Sequence, residues 1–421
     1  MQILIVGNKN VHNALATKLK AQNPDALIFV TSQEENACGS AISIDILPTS
    51  TDELVEFAQA NEISLTIVAD ENAIQSGIVD AFNNAGLMVF APDSEAVGIA
   101  YSKSYAKKQM YKLGFNTPKF GIFDKLSNAQ DYLKKTTYPV IVKYDNHVDG
   151  ERVFFCSCER VAQNTIENIF ISAHQGCKIV IENYVQGREF SYYFLTDGYN
   201  ALPISSVVPY KYSSDYDGGS ITNGVGAYAP ANFVSEDDER YILNDIVYPL
   251  LESISTNGEP YCGVLGIDFI LDEQNQLWVV EFNSFFNQPD LDCVLELLED
   301  DLLSLLRACC VGSLADDYEQ IKTNSSCVLS SVLLKIGQHV LDNEVSEIKN
   351  LDLLDDDVNV NFYNVTKKDG KIFAKNGRVM SLSVKSSTLS NAKTVLEDNV
   401  SAIEFDGLRY RKDLLKSADE R

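Results

Sequence analysis

Apolar residues along this chain gather into short runs separated by stretches of helical period, and the mixture of the two changes along its length. Residues 2–6 (QILIV), 26–30 (ALIFV), 64–69 (SLTIVA) and 87–92 (LMVFAP) are apolar runs of strand length, as expected for strands buried on both faces. Between them HNALATKLKAQ, STDELVEFAQANE and QSGIVDAFNNAG carry apolar residues at helical spacing, the last closing on Gly86 as a C-cap. Strand and helix alternate through residues 1–100. That predicts a small open parallel α/β domain whose strand carboxyl ends line a binding crevice.

A second pattern begins at residue 101. The helical stretch SKSYAKKQMYKLG ends on Gly114, and Pro118 follows. Strands rich in β-branched and aromatic residues are predicted at 138–145, 152–158, 178–185 and 188–198, with helices near 127–136 and 160–173. After 199 the polar, glycine-bearing stretch SSDYDGGSITNGVGAYAP is expected as a long loop, either functional or a surface excursion. A helix at 235–256, a hairpin of 261–272 and 279–283, and a helix at 290–311 complete a region spanning 101–322, in which 118–186 are expected to form a lid. From 323 to 421 the pattern predicts a third domain, a small mixed sheet with one helix at 388–399.

The hairpin holds the first candidate chemistry. YCGVLGIDFILD and VVEFN are apolar strands carrying Asp268 in one, and Glu281 with Asn283 in the other. Glu281 and Asn283 are two apart and share a face, and a hairpin can set Asp268 opposite them. Hard oxygen donors on a rigid sheet suit Mg²⁺ beside a nucleotide; a polar solvent face is the plainer alternative. Lys143, inside YPVIVKYD, is costly in an apolar strand unless its ammonium meets an anion, a phosphate or a carboxylate. Lys103, at a helix start, is a second phosphate candidate. Glu182, Asn183, Tyr184 and Val185 end a strand and lead through Gly187 to Glu189, a linker able to meet adenine and ribose, or merely a strand end. Lys211, Asp215, Asp217, Thr222, Gly224 and Gly226 gather in the expected loop, where glycines let backbone approach a substrate and carboxylates can hold an amine.

Composition narrows the function classes. A formal charge of −26 argues against an extended nucleic-acid or anionic-membrane surface. There is no run of 18 apolar residues, and MQILIVGNKN reads as a first strand rather than a signal peptide. Nine cysteines without CxxC spacing are expected as reduced thiols in a cytoplasmic protein. No histidine has metal spacing, and no GxSxG elbow or P-loop occurs.

In order, YSKSYAK (101–107), PVIVK (139–143), IVIENYVQGRE (179–189), TNGVGAYAP (222–230), VVEFN (279–283), and NGRVM then YRKDL in the tail form one series. Together with GIVDAFNNAGL (77–87), this series resembles the glycinamide ribonucleotide synthetase (phosphoribosylamine–glycine ligase) family of purine biosynthesis across essentially the whole chain. The resemblance implies an α/β and α+β protein with the ATP-grasp fold, an N-terminal open parallel domain and a small C-terminal mixed-sheet domain. It implies a monomer or homodimer that phosphorylates a carboxylate with ATP and Mg²⁺ (or Mn²⁺) and passes the acyl group to an amine. It puts phosphate contacts on Lys103 and Lys143, the adenine hinge on Glu182 to Val185, the ribose carboxylate on Glu189, and metal ligands on Glu281 and Asn283. Lys143, Arg152 and Asp217 are the expected catalytic residues.

The departures from the family pattern are local. Where the family has G-N-G-G-R-E-H-A-L, this chain has Gly7-Asn8-Lys9-Asn10-Val11-His12-Asn13-Ala14-Leu15. The phosphate-loop lysine is Glu151, with Arg152 beside it as a replacement charge, and the arginine after VVEFN is Phe285. Three alternatives follow: a repurposed ligase with another amine acceptor, a non-catalytic nucleotide-binding homologue, and a structural or regulatory subunit.

Overall fold

The computed structural model describes residues 1–7, 9–32, 39–145, 152–172, 176–336 and 345–415. Five strands begin the chain: β1 (Gln2–Gly7), β2 (Leu27–Thr31), β3 (Ile42–Ile44), β4 (Leu65–Ala69) and β5 (Val89–Phe90). All pair in parallel, in the order β3-β2-β1-β4-β5. Successive residues of β1 enter different cores. Ile3 and Ile5 pack with Leu15 and Leu19 of the helix Lys9–Gln22, whereas Leu4 and Val6 pack with Leu54 and Ile78 from the helices Thr51–Ala60 and Ile78–Asn84. A strand covered on both sides has no place for a polar residue, which is why its centre is wholly apolar. Gly86 takes a φ of +67° just beyond the helix Ile78–Asn84, where glycine is unstrained.

A second sheet is antiparallel: β6 (Phe120–Phe123), β7 (Val140–Tyr144), β8 (Val153–Cys156) and β9 (Ile179–Asn183), in the order β6-β9-β7-β8. The helices Leu126–Leu133 and Glu159–Ser172 close one of its faces with Ala129, Leu133, Ala162 and Ile166.

The remaining strands are β10 (Gly187–Gly198), β11 (Ala201–Ser214), β12 (Gly218–Ala229), β13 (Tyr261–Asp272), β14 (Leu277–Asn283), β15 (Cys327–Lys335), β16 (Ser346–Glu347), β17 (Val358–Phe362), β18 (Val365–Lys368), β19 (Lys371–Ala374), β20 (Gly377–Ser386) and β21 (Leu408–Arg409). Most join one long sheet, β14-β13-β10-β11-β12-β15-β20-β17, with β21 beside β15; β16, β19 and β18 form a separate small sheet.

Four expectations change. The stretch expected as a loop after 199 is a long hairpin of β11 and β12, turned by a 3₁₀ element at Asp215–Asp217. Both strands are only partly buried toward the turn, so their outward positions accept the Ser, Thr and Asp that masked the strand pattern. The strands after 323 do not all form one sheet of their own: β15 pairs with β12, so β15, β20, β17 and β21 extend the central sheet, and only β16, β18 and β19 stand apart. The helix expected at 235–256 is interrupted by a π-helical turn at Ile242–Val247, just before Pro249, which has no N–H to give the ladder. The helix expected at 290–311 is two, and Asp301 restarts it by accepting from Ser304 N at 2.9 Å. Among the described residues no helix is long and apolar enough to cross a membrane.

Candidate active site

The β13–β14 register sets Asp268 opposite Glu281, and Gly266 opposite Asn283, with an irregularity just after the Asp268–Glu281 pair. Directly opposed residues and residues two apart on a strand share a face, so Asp268, Glu281 and Asn283 lie together. Asn283 Nδ2 donates to Asp268 Oδ1 at 3.0 Å, and Ser191 on β10 donates to the same oxygen at 2.8 Å. Lys211 of β11 donates to the other oxygen at 2.9 Å and lies 3.6 Å from Glu189. Burial disfavours the Lys211 ammonium, but Asp268 and Glu189 outweigh it and hold its pKa above the ordinary value.

Beside this group runs a chain of alternating charges. Lys103, the first residue of the helix Lys103–Lys112, donates to Glu281 Oε1. Glu281 Oε2 lies 3.8 Å from Lys143 Nζ, and Lys143 lies 2.7 Å from Glu182 Oε1. Glu182 Oε2 is in turn 2.7 Å from Lys107 Nζ. Lys143 Nζ and Glu182 Oε2 meet their neighbours at ion-pair distance but outside hydrogen-bond angles, so both retain hydrogen-bonding capacity. Lys143, Glu182 and Lys107 are all buried. Burial works to neutralise Glu281, yet Lys103 and Lys143 draw its pKa down to about 2. Burial likewise opposes ionised Glu182, and Lys107 with Lys143 overcomes it. For Lys143 burial is outweighed by Glu182 and Glu281, which raise its pKa. Lys107 goes the other way: burial dominates and lowers it to about 8.

Several predicted residues sit elsewhere than expected. The Glu182 side chain points into the ion chain from its place in the β6-β9-β7 ladder. In the linker, Asn183 N donates to Lys119 O at 2.9 Å and Tyr184 N to Pro139 O at 3.3 Å. An open cleft of about 840 Å³ adjoins that linker, lined by Asn183, Tyr184, Val185, Tyr111, Lys108 and Trp278 among others. Lys103, Lys143 and Glu281 do not line it.

Asp215 and Asp217, expected near substrate, face the tail instead. Asp217 Oδ1 accepts from Arg411 at 2.8 Å, Asp215 Oδ1 accepts from Lys412 N at 2.8 Å, and Tyr216 N donates to Asp413 at 2.7 Å. A carboxylate committed to a guanidinium is poorly placed to act as the catalytic group expected at Asp217. Thr222 Oγ1 donates to Lys211 O at 2.9 Å, which braces the hairpin. Packing holds both Gly224 and Gly226 to glycine. A Cβ at Gly224 would meet Pro289 Cδ at 2.9 Å, and one at Gly226 would meet Leu414 at 2.9 Å. Arg152 precedes β8 and its carbonyl accepts from Tyr144 N at 2.9 Å. Asn8, residues 146–151 with Glu151 among them, and the side chain of Lys9 lie outside the described residues.

Three contributors were not singled out from sequence. Ser191 and Lys107 carry no motif of their own, although Lys107 lies one turn beyond Lys103, on the same helical face. The third is Asp290, which is fully buried and accepts from Tyr193 OH at 2.7 Å. Burial pushes its carboxyl up to about 7.

The same arrangement of sheets occurs in known proteins. The sequence profile described as "Phosphoribosylglycinamide synthetase, ATP-grasp (A) domain" matches residues 101–291, and that of the N domain matches 1–99. A phosphoribosylamine–glycine ligase of Pasteurella multocida is 30% identical over 424 residues, covering 98% of this chain and 97% of the relative. The chain belongs to the phosphoribosylglycinamide synthetase family. Another such ligase, from Clostridium acetobutylicum, is 28% identical over 99% of this chain and all of the relative. The crystal structure of phosphoribosylamine–glycine ligase from Thermotoga maritima superposes with a TM-score of 0.83 at 19% identity, over 98% of this chain and 100% of that one. The biotin carboxylase domain of Hydrogenobacter thermophilus 2-oxoglutarate carboxylase, determined with MgADP and bicarbonate, gives 0.74 at 15% identity over 97% and 91%. These likenesses show the ATP-grasp fold, and they extend over 97–98% of this chain.

Within that fold the donor set fits a magnesium nucleotide. Among the described residues no three His, Cys, Asp or Glu side chains gather into a metal cage. Mg²⁺, however, usually takes one or two carboxylates and completes its shell with phosphates and water. Glu281 and Asp268, with the Asn283 amide, are hard oxygen donors on adjacent strands, and two lysines adjoin them to meet phosphate.

Proposed function

We propose that this chain is an ATP-dependent ligase that joins glycine to phosphoribosylamine, working in the cytoplasm as a monomer or homodimer. The observation that carries the reading is the Lys103–Glu281–Lys143 group facing Asp268 across the β13–β14 hairpin. Its lysines and carboxylates neutralise one another. A bound nucleotide offers each a better partner, phosphate for the ammonium groups and Mg²⁺ (or Mn²⁺) for the carboxylates. The metal supplies Lewis-acid stabilisation of phosphoryl charge.

The chain's own residues hold and orient. Lys103 and Lys143 bind the phosphates, and the low pKa of Glu281 keeps it an anion at any working pH. Val185 and the Tyr184 carbonyl border the base, and Glu189, half exposed on the sheet face, takes the ribose hydroxyls. Arg152 supplies charge at the start of β8. In the reaction the glycine carboxylate oxygen attacks the γ-phosphorus and ADP leaves. The amine nitrogen then attacks the acyl carbon, the C–O bond to phosphate breaks, and the nitrogen loses a proton to solvent or base. Residues 118–186, carrying the four-stranded sheet, act as the lid over a site built on residues 101–322, with 1–100 and 323–421 flanking it.

Phe285, where the family has arginine, favours a second reading with a different amine acceptor. Its ring packs edge-on against Phe286 at 5.2 Å, and neither offers a phosphate anything. ADP release from Mg–ATP with glycine, with and without phosphoribosylamine formed in the assay, separates the two. Release requiring both substrates supports the first reading. Release with glycine and another amine, but not phosphoribosylamine, supports the second. No release under any mixture sinks both.

A further inference from the structure

We propose that Lys107 is a positioning residue that pins both roots of the four-stranded sheet and thereby sets where the Lys143 ammonium meets the nucleotide. The proposal rests on the Mg–ATP reading above. Chain enters that sheet just after Thr117, which precedes β6, and leaves it at Glu182 and Asn183, the end of β9. Lys107 reaches both points with one ammonium. Its Nζ donates to Thr117 Oγ1 at 2.8 Å and lies 2.7 Å from Glu182 Oε2. Thr117 Oγ1 in turn donates to Val279 O on β14 at 2.8 Å. One side chain thus ties the helix Lys103–Lys112, the entering strand, the leaving strand and the metal-type hairpin.

The arrangement divides Glu182 between two cations. Oε2 belongs to Lys107 and Oε1 to Lys143. Lys107 is only 2% exposed and Glu182 also 2%, so neither side chain is placed to touch the nucleotide itself. Without Lys107, all of the Glu182 charge would fall on Lys143 and draw that ammonium toward β9, away from Glu281 and the phosphates. The entering strand would lose its tie to the helix at the same time. The charged groups facing Lys107 are Glu182 on β9, Lys143 on β7 and Glu281 on β14, and Lys103 stands on its own helix. Burial brings its ammonium into the working pH range, to about 8. Loss of that proton has the same effect as removing the side chain.

The test compares wild type with Lys107→Met and Lys107→Arg, after checking each fold by melting temperature. The steady-state constants for ATP and for glycine are measured across the neutral-to-alkaline range. Lys107→Met should raise the KM for ATP roughly 10- to 100-fold, the usual cost of misplacing a binding group through its support, with the KM for glycine within about 2-fold. Lys107→Arg should recover most of that loss. The fall of wild-type kcat/KM for ATP above pH about 8 should vanish in both variants, since neither titrates there. Unchanged ATP constants and an unchanged alkaline limb in Lys107→Met would overturn the proposal. If Lys107→Met does not fold, the limb in Lys107→Arg decides: its absence supports the proposal and its persistence overturns it. Calorimetric titration of wild type with Mg–ATP separates the two levels. No binding sinks the nucleotide reading and this inference together, whereas binding with indifferent variants sinks the inference alone.

Discussion

The ion chain and the apolar seam both border the hairpin of β13 and β14 and are built on opposite terms. In the chain, Lys107, Glu182, Lys143, Glu281 and Lys103 alternate in sign and come from the helix Lys103–Lys112, β7, β9 and β14. In the seam, Phe285 and Phe286 meet Leu15, Ile67 and Phe90 of the N-terminal sheet with Val264 and Leu195 of the central one. The void left there is about 10 Å³, no more than room for one water, and its lining is apolar. Charge is held where a charged ligand is to be exchanged for it, and shape alone fixes the frame that keeps those charges in register. A buried ion pair is a poor source of stability, because desolvation offsets most of its attraction. Well-packed aromatic residues are a good one. The two regions should therefore fail differently under mutation.

The sharpest contrast comes from Glu281→Ala. It removes the anion that both Lys103 and Lys143 face, and turnover in the ADP-release assay should fall by roughly 10³-fold, the scale of losing a preorganised electrostatic contact. Unchanged turnover would sink the metal-ligand assignment. Next in size, Asp268→Asn leaves Ser191 and Lys211 in place but removes the carboxylate charge opposite Glu281, and should cost roughly 10- to 100-fold, mostly as a weaker apparent affinity for Mg²⁺. A magnesium titration of initial rates reads this directly.

Phe285→Ala addresses the seam. Partly buried in the N-terminal interface, it should lower unfolding free energy by about 2 kcal/mol in urea while leaving the KM for ATP within about 2-fold. A larger effect on ATP than on stability would erase the distinction between the regions. The smallest effect belongs to Asp290. Its folded pKa of about 7 lies above that of an exposed carboxyl, so between pH about 4 and 7 the folded state holds the extra proton. Stability should then decline as pH rises through that window. Asp290→Asn should flatten that slope in urea midpoints taken at successive pH values, because an amide has no proton to lose.

Much of the site was legible because local rules reach it. An ammonium in the middle of PVIVK demands a buried anion, and the period of two along VVEFN sets Glu281 and Asn283 on one face. The Asp268–Glu281 pairing follows once the two strands are joined by a short polar turn. Lys107 was harder, because a lysine four residues from another on a helix also describes a solvated face, and only packing against β9 distinguishes the two. The hairpin of β11 and β12 read as a loop because half-exposed strands can be polar and its glycines mimic a ligand-binding turn. Asp217 was misplaced for a related reason. Its partner Arg411 is 194 positions away, and no periodicity connects them. The parallel strands at the start of the chain were plain by contrast, since burial on both faces leaves an unbroken apolar run.

The clasp between the tip of that hairpin and the tail has a consequence for the order of folding. Arg411, Lys412 and Asp413 hold Asp217, Asp215 and Tyr216 through backbone and side chain together. Closing so long a span carries a large entropic cost and comes late, after the local pairings around it have formed. The tail end of the clasp is anchored by Leu414 and Leu415 in the C-terminal core, whereas Asp215, Tyr216 and Asp217 at the tip are exposed. The tip should therefore open first and exchange its amides with solvent, while the tail, β13 and β14 stay closed.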